Sequence, residues 1–373
     1  MSGWTWQAWV GLVGGTLVFF AVLGPVLLVQ LRRYGQMSLP RVLGAAAVSI
    51  YAVALVAYTL LPLPDVRQNC GSNGGALELI PGHSIGDIAR ETAGLSVVST
   101  LTSHAMLQVV MNVILFIPFG AIARRYWNRS LGVSIALGAL VSLLVETTQW
   151  TGIWGVYECA YRVADVDDLI ANTAGAAIGA LLAPIVLAWM PSARALRETR
   201  DAARPVTVWR RWFGMVLDAV AVQIAITVLS MLFLLPRLVA NGGRGPGFDP
   251  TLVEALGIGG GTVILVIVLP ALLGSGASIG QRLVWLTPAW PDHRGSIPRR
   301  LYRSSVVTLP YIAATTAGQL PDTGAGVSQT IAGVVALVSL LVVTIAVVSV
   351  PFSRNRRGLS CAVSGAELRD ARS

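Results

Sequence analysis

The sequence predicts an all-α, polytopic membrane protein with about nine transmembrane helices, and three observations carry that prediction. Of the 373 residues 54% are hydrophobic and only 12% charged, and the mean hydropathy is +0.69. Several apolar runs reach the roughly 20 residues that a hydrocarbon core about 30 Å thick demands of a helix. None of those runs alternates with period two, so helices rather than barrel strands satisfy the backbone in lipid.

The spans fall at 8–30, 41–61, 106–123, 131–150, 168–190, 212–235, 256–274, 304–320 and 329–351. The first, from Trp9 to Val29, is preceded by no basic residue and is too long for a signal-peptide core. It reads as a retained helix. Pro118 falls late in the third and should kink or break it. The eighth is short and interrupted by Pro310.

Three domains follow: five helices in 1–190, a cytoplasmic linker at 191–208, and four helices in 209–373. The linker has no apolar run. Arg194 with Glu198 and Arg197 with Asp201 stand at i,i+4, the signature of a solvated helix, and Pro205 breaks it.

All 27 basic residues are arginines, a usage that points to a GC-rich bacterial source. The formal charge of +9 does not mark nucleic-acid binding, because the arginines sit in short loops between apolar runs. With the N-terminus outside, 22 of the 27 fall in inner segments and five outside (Arg67, Arg90, Arg162, Arg237, Arg244). Positive loops are retained in the cytoplasm, so the expectation is N-terminus out and C-terminus in. The loop from Pro62 to His104, too long for a simple hairpin connection, then lies outside. Its segment GALELIPGHSI has an apolar centre that could lie back on the membrane surface.

Functional attention goes to residues 111–179. The third run carries Asn112 near its start, the fourth ends in Glu146 and Gln149, and the fifth opens with Asp165, Asp167, Asp168 and Asn172. Ionisable groups at helix ends in a chain so poor in charge call for a partner or a function. Asp168, Asn172, Gly175 and Gly179 share one helical face. The Gly175-xxx-Gly179 pair, with Ala171 and Ala183, lets a second helix approach closely. Ser142 lies one turn from Glu146. Glu146 and Asp168 at neighbouring helix ends would need a proton, an arginine or a cation between them. Arg162 is the local candidate. The alternative is that these residues are caps and interhelical hydrogen bonds, with Asp165 as N-cap and Asp167 and Asp168 suiting the helix dipole.

Conventional catalytic signals are few. The three histidines, His83, His104 and His293, show no zinc-ligand spacing, and no glycine-rich phosphate loop follows a strand. No metal or other cofactor is expected, and a binding role is favoured over an enzymatic one. Cys70 and Cys159 both fall on the oxidising side and form the one pair that compartment permits, whereas Cys361 is cytoplasmic. A 70–159 disulfide would hold the long loop over the connection carrying Arg162 and Asp165.

The run NVILFIPFG, then VETTQ, then RVADVDDLIANTAGAAIG resembles the VanZ-like family, associated with resistance to teicoplanin-type glycopeptides. ELIPGHSI is similar to that family's upstream Asn-Leu-Ile-Pro element, with Glu78 where Asn is usual. The resemblance covers about residues 40–190. It implies an envelope-facing helical domain and marks Asn112, Glu146, Gln149, Arg162, Asp165, Asp168 and Asn172 as its functional positions. Residues 208–370 resemble an RDD domain: WRRWFGMVLDAV supplies its opening Arg211 and membrane Asp218, and Cys361 stands where its closing Asp belongs. Read without that family, Asp218 is an acid inside a helix that calls for Arg210, Arg211 or Arg282 nearby.

The expected function is an envelope membrane protein that binds a cell-wall precursor, a lipid or a glycopeptide at its outer face. The alternative is a proton- or cation-coupled transporter using Glu146, Asp168 and Asp218. An intramembrane hydrolase fits less well, since no nucleophile–base pair is recognisable. The expected partners are the bilayer and that ligand, with no nucleic acid.

Overall fold

The computed structural model describes residues 3–61, 63, 77–157, 160, 163–240, 252–291, 295–317 and 327–373. The chain forms two compact units, residues 1–200 and 201–373. Among the described residues seven helices are long and apolar enough to cross a membrane, and the protein is a multi-pass helical membrane protein. They are Thr5–Tyr34, Leu39–Leu60, His104–Tyr126, Leu131–Trp150, Val166–Val186, Val208–Phe233 and Thr330–Phe352. The seventh expected span corresponds to a shorter apolar helix, Gly257–Leu272. The eighth falls in Ile297–Ala317, whose opening turns carry Arg299, Arg300 and Arg303 and lower its apolarity.

In the first unit, α1 (Gly3–Tyr34) packs along α2 (Leu39–Leu60). Gly11 and Gly15 meet the backbone of Ala54 and Ile50 with no room for a side chain. A two-residue strand β1 (Leu77–Glu78) leads into α3 (His83–Glu91) and the single turn α4 (Val97–Leu101). The apolar centre of that segment is exposed, Leu79 at 64% and Ile80 at 71%. Helix α5 (His104–Ala121) runs through Pro118 and widens into a π-helical turn at Ile122–Tyr126, so the disruption expected at the proline is spread over the following turn. Asn112 lies two turns inside α5 rather than at its start.

After α6 (Leu131–Trp150) and the short α7 (Gly152–Gly155), strand β2 (Ala164–Asp165) pairs in parallel with β1 and opens α8 (Val166–Val186). The linker helix is only α9 (Ala193–Glu198). Its Arg194–Glu198 pair forms at 3.2 Å as the spacing predicted, while Ala193 and Leu196 are buried with Tyr34. Serines start several helices: Ser103, Ser130 and Ser192 each accept a hydrogen bond from the backbone N–H three residues on.

The second unit comprises α10 (Val208–Ala240), α11 (Leu252–Thr262) continued by a π-helical turn and α12 (Leu269–Leu272), and α13 (Ile279–Leu283). Strand β3 (Leu286–Ala289) pairs antiparallel with β4 (Glu367–Asp370), and between them lie α14 (Ile297–Ala317), α15 (Val327–Phe352) and α16 (Gly358–Ser364). Arg211, one of the arginines the sequence offered, and Arg303 lie within electrostatic reach of Asp218, but among the described residues no arginine is its direct hydrogen-bond partner. Its oxygens accept from Ser278 Oγ and Gly280 N, both at 2.6 Å, which caps α13. The hydrogen bonds of the sequence-adjacent arginines go elsewhere. Arg210 pairs with buried Asp370 at 2.8 Å, and Arg282 donates to the carbonyls of Pro270, Leu273 and Ala277. Arg211 donates to Arg357 O at 2.9 Å and lies 3.9 Å from the buried Cys361 Sγ. The proposed Cys70–Cys159 disulfide and Arg162 lie outside the described residues.

Candidate functional site

Small residues decide how closely α5, α6 and α8 pack. A Cβ on Gly175 would run into the Val113 carbonyl, one on Gly179 into that of Ile117, and one on Gly120 into that of Ala176. Gly138 of α6 likewise abuts the Ala176 methyl. Gly175 and Gly179 therefore seat α8 backbone against α5 backbone, as their spacing predicted. Helices held this close bring short polar side chains within direct reach of one another.

The polar groups lie on that same stripe. Asn112 Nδ2 donates to Asp168 Oδ1 at 2.5 Å, linking α5 to the first turn of α8. One turn deeper, Asn172 Nδ2 donates to Ser142 Oγ at 2.9 Å, linking α8 to α6. Gln149 Nε2 donates to Thr59 O at 2.6 Å, linking α6 to the end of α2. Glu146, buried to 7% exposure, accepts from Asp165 N at 3.2 Å. Asp165 is the N-cap of α8, accepting from Asp167 N at 2.8 Å. Asp165, Asp168 and Asn172 of α8 are thus tied to Glu146 and Ser142 of α6 and to Asn112 of α5 near the end of α6 and the start of α8, while Gln149 ties α6 to α2.

Asp167 has a role the sequence did not reveal. Its two oxygens accept from Gly82 N and Ser84 N, each at 2.8 Å, so it caps α3 across more than 80 residues of chain. Together with the β1–β2 pairing, this fixes the 77–91 segment against the start of α8. At the other end of that segment Glu91 accepts from His104 N and Ala105 N, capping α5. Those backbone hydrogen bonds, Ala105 first, hold the Glu91 carboxyl below its usual range.

Burial pushes the Asp165 carboxyl up, and the nearby Asp167 and Glu78 charges push the same way; the hydrogen bond from Asp167 N opposes them. Asn172 Oδ1 is buried and has no hydrogen-bond partner among the described residues. A buried amide oxygen left without a partner costs about 1–3 kcal/mol. Among the described residues no three His, Cys, Asp or Glu side chains are grouped so as to hold a metal ion.

Chemically the cluster offers carboxylates and an amide oxygen as acceptors, and it suits a ligand that presents amine, amide or hydroxyl hydrogens. One of its participants carries no sequence signal, since Thr59 contributes only a backbone carbonyl; Ser142 was placed one turn from Glu146 by its spacing, and the structure adds Asn172 as its partner.

No curated protein and no solved structure matches the chain. No match supports the RDD resemblance of residues 208–370. Residues 48–187, which include α5, α6 and α8 and so the whole polar cluster, match the VanZ/LLP1 family model, to which this part of the chain is similar.

Proposed function

We propose that the VanZ-like region is an envelope-facing binding domain whose ligand, a cell-wall precursor, a lipid or a glycopeptide, docks at the junction of α5, α6 and α8. The observation that carries this reading is the convergence of Glu146, Asp165, Asp168 and Asn172 at one end of three tightly packed helices, with Asn172 Oδ1 buried and without a partner among the described residues. A buried acceptor left over at this junction is what a ligand's hydrogen-bond donor would satisfy. The arginine distribution supports placing this end at the outer face, with the N-terminus outside and the C-terminus cytoplasmic. The acids then meet the ligand's hydrogen-bond donors, and Arg162 supplies the charge for its phosphate or carboxylate. Teicoplanin-type resistance would follow if binding withholds the target or the drug. Proton- or cation-coupled transport draws less support, since Asp218 serves as the cap of α13.

The experiment is a thermal-shift screen of the full chain in detergent with wall-precursor lipids, teicoplanin-type glycopeptides and divalent cations. A ligand that raises the wild-type midpoint should lose its effect on Glu146→Gln and on Asp168→Asn. Full responses in both variants would refute the reading.

A further inference from the structure

A second site lies at the opposite end of α5, about 20 Å along the helix from Asn112. Here the end of α1, the start of α2, the π-helical turn after α5, and α9 line a half-open cavity of about 470 Å³. Arg33, Arg41, Arg129 and Arg197 line it, and no carboxylate does. Such a volume lies within the roughly 300–1,000 Å³ common for ligand sites.

The floor is built rather than incidental. Arg41 is buried, and its guanidinium donates to Tyr126 O at 2.7 Å and Pro191 O at 3.4 Å. It stacks over the rings of Tyr126 and Tyr34, 4.7 and 5.1 Å from their centres. Gly44 makes room for this stack, since a Cβ there would strike the Tyr126 ring. Arg41 is thus fixed as a cation with carbonyl and ring partners but no counter-anion among the lining residues.

Gln30 supplies the independent observation. It is 3% exposed and lines the cavity. Its Oε1 accepts from Ser38 N at 2.9 Å, which fixes the amide orientation and leaves Nε2 buried with no partner among the described residues. That donor and the surplus of guanidinium charge make the same demand, an acceptor anion brought from outside.

We propose that this cavity is a binding site for a phosphate group. Guanidinium pairs with phosphate in a bidentate, charge-assisted geometry, and the Gln30 amide adds a neutral donor. The wall also carries Pro25, Val26 and Val29 of the membrane-spanning α1, with Val29 exposed. An acyl chain would run along those residues, so an anionic phospholipid satisfies both halves of the site. By the arginine distribution this end faces the cytoplasm, where it would anchor the first unit to the inner leaflet. The site shares no residue with the polar cluster and stands independently of the function proposed there.

The test uses the full chain in a neutral detergent, with adducts read by native mass spectrometry and stability by thermal midpoint. The probes are phosphatidylglycerol, diacylglycerol and inorganic phosphate. Phosphatidylglycerol should bind and raise the midpoint, and diacylglycerol should not. An equal response to inorganic phosphate would support the site and assign it to the free anion. The double variant Arg33→Gln/Arg197→Gln removes two exposed guanidiniums while leaving the Arg41 bonds intact. It should bind at least about tenfold more weakly. Gln30→Glu keeps an acceptor for Ser38 N and sets a negative charge in the wall, so it should lose binding as well. Failure of the wild type to respond to either phosphate probe, or wild-type affinity in a folded variant, would overturn the proposal.

Discussion

Gly179→Ala isolates the contact on which the site's geometry depends. Its methyl would meet the Ile117 carbonyl carbon at 2.8 Å and the oxygen closer still. Ordinary carbon–carbon contact is about 3.5–4.0 Å, so α8 must move off α5 by roughly 1 Å. Overpacking of this kind costs about 1–3 kcal/mol, and an unyielding backbone neighbour places this case at the upper end. Gly132→Ala in α6 is the matched control. A Cβ there meets nothing within 4 Å, and at the second position of the helix the replacement should be mildly stabilising, by less than the roughly 1 kcal/mol gained in a helix interior. Thermal midpoints in detergent, followed by far-ultraviolet circular dichroism, should therefore move in opposite directions. Displacement of α8 should also stretch the Asn112–Asp168 bond, so Gly179→Ala should weaken any ligand response before it unfolds the protein. Equal midpoints for Gly179→Ala and wild type would refute the close approach as the organising contact.

Further expectations concern the other elements. Burial raises the Asp370 carboxyl's pKa, but hydrogen bonds from Arg372 and Arg210 outweigh it and hold the pKa below its usual value. Its stabilisation is complete above the unfolded pKa of about 3.9 and is lost as pH falls below it, so acid titration of the midpoint should show a loss below about pH 4 that Asp370→Asn lacks. Asp370→Ala should cost about 3–5 kcal/mol, because it leaves buried Arg210 without its acid. A reporter fused after Arg372 should be active only as a cytoplasmic fusion, and periplasmic-type activity there would reverse the proposed orientation. Non-reducing mass mapping should find the peptides of Cys70 and Cys159 linked, and free alkylation of both without reductant would remove the proposed loop tether.

Legibility in the sequence followed the range of the interaction. The α8 stripe was readable because Asp168, Asn172, Gly175 and Gly179 sit at helical spacing within one element, and Asp165 because N-caps are local. Asp167 was not, since its partners Gly82 and Ser84 lie more than 80 residues away in a segment without periodicity. The two-residue strands β1 and β2 are too short to alternate visibly. For Asp218 the sequence pointed to a nearby arginine, and Arg211 does stand within electrostatic reach, but the hydroxyl and amide that bond it belong to a helix start about 60 residues away and carry no sequence signal. Arginines read as topology markers also conceal structure. Arg41 counts as one positive loop residue in the sequence, yet it sits buried between two tyrosines.

The central claim is that the α5–α6–α8 cluster is kept for binding rather than for packing. The most direct measurement is the double variant Asn172→Leu/Ser142→Ala, which removes both members of a buried hydrogen bond together with the unpartnered Asn172 Oδ1. Replacing both partners by apolar groups is near neutral or stabilising, and loss of an unsatisfied buried acceptor adds about 1–3 kcal/mol in the stabilising direction. The account predicts a thermal midpoint at or above wild type together with loss of the ligand-induced shift. A variant that is clearly less stable yet keeps the full shift would contradict it.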